Sequence, residues 1–167
     1  MRLIVDMAVA MVGGFVATKA MEPVTTALYG AESEADRERE RQVSPGVPYR
    51  VAAEKVTRRL GLRLSDPQLD RAGLIFHYGL GVGWAPLYAV LRRRWRVPAP
   101  QAGIATGLAL FAIVDEGLNP IIGSSAPPQA HPVASHVRGF VGHLAYGLAL
   151  AAAVEAIWLL LDRRSRP

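Results

Sequence analysis

Several polar and ionisable side chains lie within or beside the long apolar runs of this 167-residue sequence, and their types could support chemistry. Histidine titrates near neutral pH, imidazole and carboxylate groups bind metal ions, and polar side chains hydrogen-bond between membrane helices. An ionisable group in hydrocarbon costs about 2.5–3.5 kcal/mol on insertion scales, so it usually has a partner or a role. The candidates are Lys19, Glu22, His77, Asp115, Glu116, Asn119 and His143, with His131 and His136 as possible additional ligands.

These residue types leave three interpretations of the polar cluster open. The first is an interhelical polar network in a non-enzymatic structural or accessory membrane protein. The second is a metal or haem site, with His77 and His143 as candidate axial ligands. The third is a proton or solute pathway through the histidines and carboxylates. No His-x-x-x-His pair lies within a span and Ser124–Ser125 lacks an evident base, so no catalytic residue is assigned and an enzyme is less favoured.

Four apolar stretches are long enough to hold these residues inside a membrane, because crossing the hydrocarbon core takes roughly 20 mostly apolar residues. They cover residues 3–21, 72–91, 102–122 and 139–161. The pattern predicts an all-α fold, an integral membrane bundle of about four transmembrane helices, in a single membrane domain over residues 1–167. A charged extramembrane segment, residues 22–71, separates the first two spans.

The first apolar stretch has a rival interpretation as a cleaved signal peptide with a cut after Ala20. Asp6 within the apolar part and Lys19 beside the cut disfavour that interpretation. We therefore expect a first transmembrane helix.

Counting residues from the span ends indicates that the polar residues share one depth. His77 lies about six residues into the second span and His143 about five into the fourth, at about 1.5 Å per residue. Asp115 and Glu116 come about six or seven residues before the same end of the third span. The sequence therefore predicts that the cluster gathers in one leaflet.

Two ion pairs are expected, one at the end of the first span and one deeper in the fourth span. Lys19 and Glu22 are three residues apart, a spacing that permits an ion pair on a helix. Glu155 lies deeper in the fourth span, toward the arginines of residues 92–96, and we expect it to pair with one of them.

Glycines at four-residue spacing occur in the second and third spans. The pairs are Gly79 with Gly83 and Gly103 with Gly107. Small residues let membrane helices approach closely, so both pairs are predicted to lie at helix contacts.

The polar segment contains one helical pattern, from Tyr49 to Leu64, with apolar residues at helical spacing and several basic residues between them. Such a helix could lie on the membrane surface or pack against the rest of the polar segment. The sequence does not decide between the two.

Arginines gather at the span ends opposite the polar cluster. With four spans, both termini and the short middle loop share one side, and Lys and Arg in short loops mark the cytoplasmic side. We therefore expect cytoplasmic termini, while the basic stretch at residues 50–63 favours the opposite orientation. The arginines of the shared side are Arg2, Arg92, Arg93, Arg94, Arg96, Arg163, Arg164 and Arg166.

The composition and net charge limit the kinds of site and of binding partner that we expect. The sequence has no cysteine, which excludes disulfides, thiolate metal sites and cysteine nucleophiles. Its net charge of +5 would suggest nucleic acid in a soluble protein. Here the arginines lie beside apolar spans, where anionic lipid headgroups explain them. The expected partners are the lipid bilayer and a possible membrane-protein partner or second copy, and no nucleic acid.

Three glycine-containing stretches carry a resemblance to a known family. They are residues 13–18 (GGFVAT), 77–83 (HYGLGVG) and 142–147 (GHLAYG). With these stretches the sequence resembles the uncharacterised bacterial inner-membrane proteins related to YagU. The resemblance implies a small multi-pass protein of the bacterial inner membrane. It assigns no chemistry and no catalytic residue.

Overall fold

The computed structural model describes residues 2–44 and 46–164, and every regular element within them is helical. Four helical stretches are long and apolar enough to cross a membrane, which confirms the predicted all-α fold with four spans. Their outer faces are apolar, as lipid contact requires: Ile4, Ile75 and Ile121 are 72%, 74% and 79% exposed. Arg166, one of the arginines of the expected cytoplasmic side, lies outside the described residues. The spans are Leu3–Ala31, Asp66–Arg93, Ala99–Ile122 and Val133–Arg163.

The helices follow one another with short connections. The α-helices are α1 (Arg2–Ala31), α2 (Glu34–Val43), α3 (Pro48–Arg59), α4 (Asp66–Trp84), α5 (Pro86–Arg93), α6 (Ala99–Leu110), α7 (Asn119–Ile122) and α8 (Val133–Arg164). A π-helical segment, Phe111–Leu118, joins α6 to α7, and a 3₁₀ turn, Pro128–Ala130, precedes α8. We call the end of the bundle where α1 and α7 end and α4 and α8 begin the α2–α3 end. The opposite end, with Arg92 and Arg93, is the arginine end.

Helix α1 continues past Met21, the predicted end of the first span, to Ala31. Residues 22–31 therefore belong to the first long helix. Pro23 lies inside this helix, where it lacks an N–H for the ladder. The Thr25 hydroxyl donates to the Glu22 carbonyl at 3.0 Å in the same turn.

Helix α2 is short and charged. Its first turn is capped by Ser33, whose Oγ accepts from the Asp36 N–H at 3.1 Å. Arg41 pairs with Glu34 at 2.7 Å along the helix surface. Hydrogen bonds from Arg41 and then Arg37 hold the pKa of Glu34 below its usual value.

Helix α3 packs against α4 and the end of α7. Ala52 and Ala53 are buried in this contact, and the Lys55 ammonium donates to the Ile122 carbonyl at 2.9 Å. The helix ends at Arg59, before the predicted Leu64, because Gly61 takes a positive φ of 75° that stops it. This segment therefore packs on the bundle.

The second and third spans are interrupted. Pro86 divides the second span into α4 and α5. In the third span, Pro120 cannot donate a hydrogen bond to Glu116, four residues back. The turns before it widen into the π-helical segment, where the Asn119 N–H bonds to the Val114 carbonyl, five residues back. Short π-helical stretches inside α-helices are frequent at functional sites.

Glycine contacts hold α6 against α8, as predicted for one of the two glycine pairs. A Cβ on Gly103 would lie 2.3 Å from the Gly147 oxygen, and one on Gly107 would lie 2.1 Å from the His143 oxygen. The prediction for Gly79 and Gly83 is wrong, because a Cβ on either would meet no atom of the described residues within 4 Å. The pair points outward from α4.

The arginine end is closed by a packed core and two ion pairs. Arg92 donates to Glu155 at 2.6 Å, which confirms the expected partner of Glu155. Arg93 pairs with Asp6 at 3.3 Å. Tyr88, which is fully buried, also donates to Glu155, at 2.9 Å.

Candidate functional site

The four spans enclose a pocket of about 340 Å³ at the α2–α3 end. Its wall comes from α1, α4, the π-helical segment, the loop before α8, and α8 itself. Seven of the nine predicted residues line it: His77, Asp115, Glu116, Asn119, His131, His136 and His143. These include all four histidines of the sequence. The aromatic side chains of the wall are Tyr49, Phe76, Phe111 and Tyr146.

Asp115 and His143 form one polar pair in the wall of the pocket. The His143 Nδ1–H donates to the Gly139 carbonyl at 2.8 Å, which turns Nε2 toward the carboxylate. Nε2 lies 3.6 Å from Asp115 Oδ2, too far for a direct hydrogen bond. The other carboxylate oxygen, Oδ1, accepts from Asn119 Nδ2 at 3.3 Å. Asp115 thus keeps one oxygen for another donor, and its side chain is 40% exposed where it lines the pocket.

A second histidine–carboxylate pair lies nearer the loop before α8. His136 Nε2 donates to the Pro128 carbonyl at 2.9 Å, and Nδ1 lies 2.8 Å from Glu116 Oε1. A neutral imidazole has one N–H, which is already used at Nε2. The short Nδ1–Oε1 distance therefore requires one further proton, shared between imidazole and carboxylate.

The remaining histidines differ in their partners. His131 Nε2 lies 3.0 Å from the Ser125 hydroxyl, so Ser125 has an imidazole neighbour that its sequence position did not reveal. No carboxylate of the described residues hydrogen-bonds His131, so the pair lacks the third group that orients a catalytic base. His77 stacks near Tyr49, with ring centroids 5.0 Å apart, and makes no hydrogen bond within the described part of the chain.

Tyr146 forms the floor of the pocket. Its side chain is 1% exposed, and its hydroxyl donates to the Gly81 carbonyl at 2.5 Å, which ties α8 to α4. Thr18 packs against Gly81 from α1, and its hydroxyl donates to the Gly14 carbonyl at 2.9 Å. Sequence reasoning singled out neither side chain, because their partners lie on other helices or on the backbone.

A buried ion cluster lies at the mouth of the pocket. Arg138, on α8, donates to Glu32 just after α1 and, at 2.5 Å, to Glu40 on α2. The side chains of Arg138, Glu32 and Glu40 are 16%, 6% and 19% exposed. Tyr29 lies beneath the guanidinium, with its ring centroid 5.0 Å away. The cluster fastens α2 over the bundle, and its residues were not predicted as site residues.

Lys19 and Glu22 do not join the pocket. They form the expected ion pair, at 3.1 Å, but their side chains are 58% and 40% exposed. Tyr78 donates a hydrogen bond to Glu22 on this outer surface. The predicted cluster therefore divides into a pocket and a separate outer ion pair.

The described residues contain no group of three or more His, Asp or Glu side chains arranged to hold a metal ion. The pairing of His143 with Asp115 and of His136 with Glu116 explains this, because each imidazole faces one carboxylate and not a shared centre. The predicted metal site gains no geometric support.

Comparison with known proteins found no family model, no curated protein and no solved structure that matches the chain.

Proposed function

We propose that this chain is a non-enzymatic, multi-pass membrane protein that binds a small molecule in the pocket at the α2–α3 end. The observation that carries the proposal is the convergence of four histidines and three carboxylates on one cavity of about 340 Å³. Ligand pockets typically have volumes of about 300–1,000 Å³ and mostly apolar walls with a few polar groups. This pocket has that composition.

The availability of its polar groups favours a binding pocket over a purely structural polar network. In a structural network, the polar groups use their donors and acceptors in hydrogen bonds to one another. His77 makes no hydrogen bond within residues 2–44 and 46–164, and Asp115 Oδ2 lies 3.6 Å from its nearest basic partner. Both groups line the cavity and remain free to contact a ligand.

The closed arginine end favours binding over conduction. Ala85, Tyr88 and Leu150 are each 0% exposed between the pocket and that end. A through pathway would have to displace this core, whereas a ligand entering from the α2–α3 end meets the pocket directly.

We also infer that the protein lies in a bacterial inner membrane with both termini in the cytoplasm. The arginines at the arginine end support this orientation, because Lys and Arg next to span ends are retained on the cytoplasmic side. The pocket then opens away from the cytoplasm.

The orientation is tested by labelling in intact cells. Leu60→Cys, at the end of α3, where the leucine is 70% exposed, should react with an impermeant anionic thiol reagent. Protection until the cells are lysed would reverse the orientation.

The binding proposal is tested by thiol access, since the sequence has no native cysteine. His77→Cys, in the purified protein, is treated with the neutral reagent 2-hydroxyethyl methanethiosulfonate, and mass spectrometry follows modification. We expect rapid modification, because the side chain lines an open cavity.

Ala89→Cys, on the same span, is the matched control, because Ala89 is 0% exposed in the core and should stay unmodified. If His77→Cys is as slow as Ala89→Cys, the pocket is not open in the protein and the structural-network interpretation replaces the proposal.

A further inference from the structure

We propose that the ligand is a small primary or secondary organic ammonium ion, held by Asp115 and His143 against aromatic side chains. This inference rests on the proposed binding function and names the ligand class for the same pocket.

The first argument is the hydrogen-bonding capacity of Asp115 and His143 in the pocket wall. Because His143 Nδ1–H is used by Gly139, the neutral ring presents the Nε2 lone pair. Asp115 Oδ2 faces it at 3.6 Å. Two acceptors therefore face each other with no donor between them. An ammonium nitrogen near both can donate one N–H to each.

The second argument is charge. Arg138 is the only Lys or Arg lining the pocket in the described part of the chain, and its two partners, Glu32 and Glu40, leave that cluster with one negative charge in excess. The negative charge of Glu116 is compensated by the proton that its carboxylate shares with His136. No Lys or Arg of the described residues pairs with Asp115. Together with the excess carboxylate at Arg138, Asp115 makes the pocket favour a cation and disfavour an anion.

The third argument is the aromatic wall. The Phe111 ring lies beside the acceptor pair, with its centroid 5.6 Å from that of His143. Tyr49, Phe76 and Tyr146 also line the cavity. Aromatic faces attract cations within about 6 Å of the ring centroid. They also bury the hydrocarbon part of a ligand, so an ammonium with an attached apolar group fits better than ammonium itself.

The need for N–H donors separates this ligand class from quaternary ammonium ions. A quaternary ion satisfies the aromatic wall and the charge but donates to neither Asp115 nor His143. A matched series of probes therefore isolates each argument: benzylammonium, benzyltrimethylammonium, benzyl alcohol and benzoate share one ring and differ in charge and donors.

The experiment measures the thermal unfolding midpoint of the detergent-purified protein with each probe, above the unperturbed histidine pKa of about 6.5. We expect benzylammonium to raise the midpoint saturably, because a ligand that binds only the folded state stabilises it. The other three probes should raise it much less. Asp115→Asn should lose the benzylammonium effect, and Glu22→Gln, a carboxylate outside the pocket, should keep it.

A second measurement does not depend on the folding of Asp115→Asn. In His77→Cys, the rate ratio of aminoethyl to sulfonatoethyl methanethiosulfonate is compared with the same ratio in Leu60→Cys. We expect a ratio at least about tenfold higher in the pocket, from attraction of the cation and repulsion of the anion.

The same rate ratio at His77→Cys as at Leu60→Cys, or equal shifts with benzoate and benzylammonium, would overturn the ammonium assignment while leaving an open pocket. No reaction at His77→Cys even with the neutral reagent would instead overturn the binding function itself. The two failures are therefore distinct.

Discussion

At the scale of single residues, the Tyr146 hydroxyl fixes the floor of the pocket. It is buried and donates to the Gly81 carbonyl at 2.5 Å, across the contact of α8 with α4. Hydrogen bonds between membrane helices contribute about 0.6 kcal/mol on average and up to about 1.7. We expect Tyr146→Phe to lower the free energy of unfolding by about 1 kcal/mol, measured by unfolding in detergent. Tyr49→Phe is the control, because the Tyr49 hydroxyl makes no hydrogen bond in the described residues. Equal losses in both variants would contradict the assigned bond.

The depth of the site residues could be predicted from the sequence, but their direction could not. His77, Asp115 and His143 lie at similar distances from span ends, so the count places them at one level of the bundle. Lys19 and Glu22 share this depth yet face outward. Helix α1 is apolar around most of its circumference, so its sequence contains no stripe that indicates the inner face.

At the scale of helices, the two glycine pairs are alike in sequence and differ in environment. Gly107 lies at the α6–α8 contact, where an added Cβ would be 2.1 Å from a backbone oxygen, whereas Gly83 faces open space. Backbone cannot yield as a flexible side chain can. We therefore expect Gly107→Ala to destabilise the protein by about 1–3 kcal/mol. Gly83→Ala should be neutral or stabilising by up to about 1 kcal/mol, since alanine favours the helix. Thermal unfolding of both variants measures this, and equal destabilisation would contradict the contact.

The π-helical segment also could not be predicted from the sequence. The four-residue spacing of Asp115 and Asn119 predicts a shared face on an ordinary α-helix, and the two side chains do hydrogen-bond. The widened turns and Pro120 nevertheless change how the third span approaches the loop before α8. Proline signals an interruption, but whether the backbone kinks or widens depends on the neighbouring helices.

At the scale of the whole molecule, the buried ion cluster of Arg138 joins parts of the chain that are far apart in sequence. Glu32 and Glu40 lie 106 and 98 residues from Arg138. In the sequence, Glu32 and Glu40 belong to a charged run that looks like a solvated segment. Only the return of α2 across the bundle buries them, and no local pattern predicts that return.

This cluster should control whether α2 stays docked over the mouth of the pocket. Removing one partner of a buried ion pair leaves uncompensated charge and costs about 3–5 kcal/mol. In Arg138→Gln, Glu32 and Glu40 would face each other unpaired, so we expect α2 to detach. Limited trypsin digestion reports this directly, because α2 contains Arg37, Arg39 and Arg41.

Cleavage within α2 should be at least about tenfold faster in Arg138→Gln than in the unmodified protein, while the four long helices remain associated. Arg58→Gln removes an arginine whose side chain is 74% exposed and should leave α2 cleavage unchanged. Because exposed ion pairs contribute only about 0–1 kcal/mol, this control separates loss of the buried cluster from loss of charge alone. Equal α2 cleavage in both variants would mean that contacts other than Arg138 hold α2 in place.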